Sequence, residues 1–328
     1  MTPALSVVIP LYRSEEGLPA LFDALSRLSV PEGFEVVFVN DGSPDRTAER
    51  CRELLAKAPF PARLVNLMRN FGEHNAVLAG YRLARGAYIV NIDDDLQNPP
   101  DEAIRLFRHT RDQGFDAVYT FFSDKRHSLW RNLGSRLANW VADIVLDKPK
   151  GLYLSSFRCI TAAIAQAITR YEGPYPYIDG LISQVTQNID SIEVRHDERQ
   201  FGTSNYNLRR LVRLWMNIVF NFSVMPLRAA LLLGFATAGL GLLLLIVTVV
   251  EAAVTRTPPG WGSLMATITL FAGVQLIVLG GIGEYVGRIF LTTNRRPQSI
   301  VREVVEHYAA SDLSQTAGVG AEGPPCRE

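Results

Sequence analysis

The sequence predicts an α/β domain with a parallel sheet covered on both faces, followed by two membrane-spanning helices. Three observations predict it. Apolar runs and helical periodicities alternate from Leu5 to Phe122. The runs are apolar without interruption, as strands buried on both faces are. Ala229 to Val250 and Ser263 to Gly283 are uncharged and long enough to cross a bilayer.

Leu5 to Pro10 (LSVVIP) is the first expected strand, and Ser14 to Leu28 follows with helical spacing. Phe34 to Asn40 (FEVVFVN) is a second strand, closed by Asp41-Gly42-Ser43, with Pro44 to Lys57 as the next helix. Then come a strand at Leu64 to Met68, a helix at Gly72 to Arg85 and a strand at Ala87 to Ile92. Glu102 to Gln113 is helical and Asp116 to Phe122 is a fifth strand. Ligands of such sheets bind beyond the carboxyl ends of strands, near a switch in strand order. Polar residues stand at those ends: Tyr12, Asn40-Asp41, Arg69-Asn70 and Asp93 to Asp95.

The stretch AYIVNIDDDLQNPP ends an apolar run in three aspartates. In an extended segment residues i and i+2 share a side. Asp93 and Asp95 therefore converge, while Asp94 points away or back into the fold. Two hard oxygen ligands suit Mg²⁺ or Mn²⁺, which takes its other ligands from water and substrate phosphates. An acidic turn that merely solvates a strand end has the same sequence, but the polar neighbouring strand ends favour a site. Pro100 fits the first turn of the following helix. Asp41 can accept hydrogen bonds from a base or ribose; from this position alone, a turn residue or cap before Pro44 reads equally well.

Basic and acidic residues balance at 33 each, which excludes a bulk nucleic-acid binder. Cys51, Cys159 and Cys326 are far apart and read as free thiols in a reducing compartment. MTPALSVVIP runs straight into a strand with no basic leader, so no signal peptide is expected. There is no GxGxxG after the first strand and no GxxxxGK[ST], which disfavours a Rossmann dehydrogenase or a P-loop NTPase.

PLY at Pro10 to Tyr12, NDGSPD at Asn40 to Asp45, RNFGEHNAVLAG at Arg69 to Gly80 and DDDLQNPP at Asp93 to Pro100 resemble the family 2 glycosyltransferases. The resemblance is to their polyprenyl-phosphate branch, which includes dolichol-phosphate mannosyltransferase, bactoprenol glucosyltransferase and the undecaprenyl-phosphate aminoarabinose-type transferases. With the membrane segments it covers roughly residues 4 to 305. It implies a GT-A fold, a Rossmann-like nucleotide-sugar domain with a DxD-bound divalent metal. Pro10, Tyr12, Asp41 and Asp94 would line the nucleotide. Asp93 and Asp95 would hold Mg²⁺ or Mn²⁺ and the diphosphate, and Gln97 would lie at the sugar side. Arg199-Gln200-Phe201-Gly202-Thr203-Ser204-Asn205-Tyr206 is similar to the family's R-x-F-G-x-S-K-Y loop, whose Arg199 and Ser204 would reach phosphate oxygens. The sequence departs from the pattern at three places: Arg13-Ser14 for Asn-Glu, Leu152 for Asp and Asn205 for Lys.

Residues 124 to 146 have amphipathic helical spacing, with Arg126, Arg131 and Arg136 flanking an apolar face. They suit a membrane interface or a core helix with a basic edge equally well. Ile189 to Glu198 alternates as a strand. The expected organisation is a GT-A domain at 1–207, an interfacial helix at 208–228 and a two-helix membrane region at 229–290. A cytoplasmic tail at 291–328 ends in disorder. Gly273, Gly280, Gly281 and Gly283 are expected to let the second span pack closely. Arginines flank the outer ends of the two spans, and the loop between them has only Arg256. Both ends are therefore expected on the cytoplasmic side, giving a multi-pass inner-membrane protein with a cytoplasmic catalytic domain.

The expected reaction moves a sugar from a nucleotide-sugar donor, with UDP favoured over GDP, to a polyprenyl phosphate lipid. By the resemblance it inverts the anomeric carbon. A processive polysaccharide synthase is disfavoured, because there is no QxxRW and there are few spans. A membrane-anchored nucleotide-sugar-binding protein with little activity is the alternative of a different class. A homo-oligomer stays open, and no nucleic-acid partner is expected.

Overall fold

The computed structural model describes residues 2–121, 152–195, 225–255, 260–294 and 297–308. The segment 124–146, residues 208–224 of the helix expected at 208–228, and Arg199 and Ser204 lie outside the described residues, while residues 225–228 open the first apolar helix. The chain forms two units, one α/β and one helical.

In the α/β unit the apolar runs become strands. Leu5–Leu11 (β1), Phe34–Asn40 (β2), Ala62–Leu67 (β3), Tyr88–Asn91 (β4) and Ala117–Phe121 (β5) are buried almost throughout. Between them run Leu18–Ser26 (α1), Thr47–Leu55 (α2), Glu73–Leu83 (α3) and Pro100–Gln113 (α4). Each carries an apolar stripe that it buries against the sheet. Every element expected up to Phe122 is present, with ends moved by about a turn or less. Helix α3 approaches the sheet closely through Gly80, where a Cβ would stand 2.5 Å from Val8 Cγ1 and 3.0 Å from Val39 Cγ2.

The expectation of a parallel sheet is corrected. After β5 come Arg158–Thr161 (β6), Ala162–Thr169 (α5), Ile178–Val185 (α6) and Ile189–Glu193 (β7). Val301–His307 (β8) completes an eight-stranded sheet of order β7-β5-β6-β4-β1-β2-β3-β8. Pairs β1–β2, β1–β4, β2–β3 and β5–β7 are parallel; β3–β8, β4–β6 and β5–β6 are antiparallel. Strand β6 has only 4 residues and begins with a buried arginine, so no apolar run marks it. Strand β8 lies in the segment expected as a tail. Its alternation of valine with charge, VREVVEH, is the pattern of a guarded sheet edge. The strand expected to reach Glu198 ends at Glu193.

The chain runs outward from β1 through β2 to β3, then returns to place β4 on the other side of β1. This is a switch point, and the loops after β1 and β4 open beside each other there. Pro10 fits a central strand because the β1–β4 pairing covers only Leu5 to Val8, so its missing N–H breaks no ladder on that side.

The helical unit holds Met225–Thr255 (α7, 31 residues) and Trp261–Thr293 (α8, 33 residues). At about 1.5 Å per residue both exceed the roughly 30 Å apolar thickness of a bilayer. Met225–Leu243 and Leu270–Thr293, with mean hydropathy 1.6 and 1.5, are apolar enough to cross a membrane. The close approach of the two helices is at Gly241, where a Cβ would stand 2.8 Å from the Phe271 ring. The packing role expected for Gly273, Gly280, Gly281 and Gly283 is corrected: among the described residues a Cβ at any of them meets open space.

Candidate active site

Three loops meet at the switch point. In the loop after β1, the Tyr12 amide donates to Ser14 Oγ at 3.0 Å, and the Ser14 amide donates to Thr47 Oγ1 at 2.9 Å. Arg13 sits at φ 59° and donates its amide to Ser43 Oγ at 3.0 Å, joining this loop to the one after β2. Tyr12 is 40% exposed, so a ring is available for stacking at the mouth of the site.

The loop after β2 is fixed by Asp41. Its carboxylate is buried and accepts from the amides of Phe71 at 2.7 Å and Gly72 at 2.9 Å. Burial raises its pKa, and the two amide bonds oppose that rise. Neither a cap before Pro44 nor an open carboxylate describes it; Asp41 clamps NDGSPD to RNFG. Gly42 makes the contact fit. It has φ 58°, and a Cβ there would lie 2.3 Å from the Arg69 carbonyl carbon.

The acidic loop follows β4. The strand ends at Asn91 and the chain turns through Asp94 and Asp95, so the extended geometry expected for the triplet is corrected. Asp93 Oδ2 accepts from Ser156 Oγ at 2.7 Å, and Asp95 Oδ1 accepts from the Gln97 amide at 3.1 Å. Asp94 Oδ2 accepts from Ser14 Oγ. Leu96 has φ 58°. Arg13 and Leu96 are the positive-φ residues other than glycine among the described residues, and both lie in site loops. Backbone strain concentrates where a fold must aim functional groups. Pro100 opens α4, as expected.

The carboxylates repel one another. Asp93 is pushed up to about 6, first by burial, then by the charge of Glu73, with Asp95 adding to the rise and the Ser156 bond opposing it. Asp94 is also pushed up to about 6, by burial, with Asp93 and Asp95 adding and the Ser14 bond opposing. Among the described residues no group of three His, Cys, Asp or Glu side chains closes round one point. The donor set fits a hard divalent cation that takes two carboxylates here and its other ligands from diphosphate and water.

Sequence reasoning missed Glu73, although it lies in the quoted RNFGEHN block, and Ser156, which no pattern marks. It also missed the buried ion pair of Arg158 and Asp179 beneath the acidic loop. Arg158 reaches the Ser155 carbonyl at 3.3 Å, and Asn91 Nδ2 donates to the Ser156 carbonyl at 2.9 Å. The segment that holds Asp93 is thus held in turn. His74 lies nearby, and burial pushes its pKa down to about 4. Leu152, one of the departures from the resembled pattern, is buried.

The mixed sheet of the α/β unit and its covering helices form a GT-A-like fold. Glucosyl-3-phosphoglycerate synthase from Mycobacterium tuberculosis, solved with Mn²⁺ and UDP-glucose, shares the fold at TM-score 0.51 and 18% identity, over 66% of this chain and 77% of that one. Residues 6–166 match the family described as Glycosyl transferase family 2. Over 308 residues the chain is 32% identical to an undecaprenyl-phosphate 4-deoxy-4-formamido-L-arabinose transferase of Yersinia pestis bv. Antiqua (strain Angola), covering 92% of this chain and 93% of that protein. A protein of the same description from Yersinia pseudotuberculosis serotype O:3 (strain YPIII) matches to the same extent. The chain belongs to glycosyl transferase family 2 and is a glycosyltransferase.

Proposed function

We propose that this enzyme transfers a sugar from a UDP-sugar to undecaprenyl phosphate, with inversion, at the cytoplasmic face of the membrane. One observation carries the reading: the likeness to transferases named for undecaprenyl phosphate runs through both apolar helices, over 92% of the chain. A lipid acceptor supplies the physical reason for those helices. Asp41 shapes the nucleotide loop, Tyr12 offers its ring to the base, and Asp93 and Asp95 hold the diphosphate end. Gln97 would face the sugar, and Arg199 and Ser204 would supply phosphate contacts, as the family resemblance implies.

In the reaction an acceptor phosphate oxygen attacks the anomeric carbon, and the bond from that carbon to the diphosphate oxygen breaks. The acceptor is a phosphate monoester with a second pKa near ~6, so it is mostly ionised at neutral pH and needs no strong base. A bound Mg²⁺ or Mn²⁺ would neutralise the charge gathering on the departing diphosphate.

The test is transfer of label from a panel of UDP- and GDP-sugars to undecaprenyl phosphate in detergent, with Mn²⁺, Mg²⁺ or EDTA. Metal-dependent labelling of the lipid supports the proposal. Nucleotide binding without transfer from any donor would favour a nucleotide-sugar-binding protein instead. Orientation is checked with Gly260→Cys in the loop between the spans. Labelling of intact cells by an impermeant maleimide is expected; protection from outside overturns the cytoplasmic assignment.

A further inference from the structure

Glu303 stands in β8, far in sequence from every residue of the site. A hydrogen-bonded relay nevertheless leads from it to the loop after β2. Its Oε1 accepts from Asn66 Nδ2 at 2.8 Å. Asn66 Oδ1 accepts from Asn40 Nδ2 at 3.0 Å. Asn40 Oδ1 accepts from the Ser43 amide at 3.2 Å, and Ser43 Oγ accepts from the Arg13 amide at 3.0 Å. Asn40 and Asn66 are 5% and 4% exposed and face each other in register across β2 and β3.

A buried carboxamide is costly when turned the wrong way, because a donor then meets a donor. A carboxylate only accepts. Glu303 therefore obliges Asn66 to offer it the NH₂ and to turn its oxygen to Asn40. Asn40 must then turn its own oxygen to the Ser43 amide. Direction along the relay is set at its far end by one side chain. That side chain is itself held by Arg52 Nη2 at 2.5 Å and by the β3–β8 ladder.

We propose that Glu303 is a positioning residue for the donor loop: through Asn66 and Asn40 it sets the conformation of residues 41–43 and thereby the affinity for the nucleoside diphosphate. The proposal rests on the reading of that loop as the nucleotide site. Strand β8 carries its own control. Glu306 pairs with Arg85 at 3.1 Å and Arg63 at 3.4 Å, and Arg63 continues to Glu35 rather than to the loop.

The experiment titrates the full-length protein in detergent with UDP and, in parallel, GDP, each with Mn²⁺, and follows the KM of the lipid where transfer is measured. Lysine has donors only, so Glu303→Lys reverses the relay and sets the Asn40 NH₂ against the Ser43 amide. Glu303→Lys and Asn66→Ala are expected to weaken nucleotide binding about tenfold, with the lipid KM unchanged. Glu303→Gln keeps an acceptor oxygen and stays within about threefold. Glu306→Gln leaves the affinity unchanged. Equal weakening by Glu303→Lys and Glu306→Gln overturns the proposal, as does unchanged affinity in both Glu303→Lys and Asn66→Ala. If Glu303→Lys does not fold, Asn66→Ala, which leaves β8 intact, decides. Failure of the wild-type protein to bind either nucleotide overturns the underlying reading of the loop instead.

Discussion

Ser14 donates its Oγ–H to Asp94 and so ties the loop after β1 to the acidic loop after β4. Related transferases are expected to carry an acid at this position. Here a hydroxyl both accepts from the Tyr12 amide and steadies a carboxylate that burial, and then the charges of Asp93 and Asp95, push toward protonation. Ser14→Ala removes the bond that opposes the upward shift of Asp94. Activity is then expected to fall about threefold to tenfold near pH 6.5 and to recover in part as pH rises. A pH profile of kcat/KM for the donor checks this; an equal loss at every pH would assign Ser14 a purely structural part.

Asp93 and Asp95 should differ in kind from the serine that supports Asp93. Asp95→Ala is expected to lower transfer by about a hundredfold to a thousandfold, since it removes one of the two carboxylates that would hold the divalent cation at the diphosphate. Ser156→Ala leaves both carboxylates in place and should cost about threefold to tenfold. Label transfer at saturating Mn²⁺ separates the two, and equal losses would show that Ser156 acts on more than Asp93.

The acidic loop makes stability depend on pH, with a definite sign. The folded Asp94, at about 6, holds its proton more tightly than an ordinary aspartate at 3.8. The native state then binds more protons across that window, so this residue's contribution falls as pH rises from about 4 to 6. Asp94→Asn lifts the cost and keeps an oxygen for Ser14. It should raise stability by about 1–2 kcal/mol above pH 6, after discounting for partial exposure, and by little near pH 4. His74 runs the other way: its contribution is present above 6.5 and is lost as pH falls toward about 4. Comparing melting temperatures of variant and parent at each pH cancels the His74 effect, and a gain independent of pH would refute the assignment.

Gly42→Ala places a methyl against the Arg69 carbonyl at a positive φ. The loop after β2 must then part from RNFG or strain. A loss of about 1–3 kcal/mol is expected, read as a lower melting temperature, together with weaker nucleotide binding. An unchanged melt would mean that the two loops do not need their close contact.

Much of the fold was legible because uninterrupted apolar runs mark strands that are buried on both faces. β2 appears at Phe34–Asn40, the residues read for it. β6 and β8 escaped because one is four residues long and the other alternates like a solvated edge. In the site, the motifs were legible but their joints were not. Asp41 was visible as a strand-end carboxylate, yet its amide partners lie thirty and thirty-one positions on, brought near only by the β2–β3 pairing. The convergence of Asp93 and Asp95 was inferred from an extended backbone, whereas the chain turns there, with Leu96 in the left-handed region. Ser156 and Glu303 give no periodic signal, because a hydrogen bond to a distant segment needs only one residue.

The last strand of the sheet also bears on how the enzyme is made. β3 gains its outer neighbour only when residues 301–307 leave the ribosome, after α7 and α8 have emerged. Until then β3 is an open edge, with Asn66 and Arg63 lacking their β8 carboxylates. The α/β unit is therefore synthesised first and finished last. A nascent chain that stops before residue 301 leaves the sheet with an open edge, so completion of the sugar-transferring unit waits on synthesis of both apolar helices.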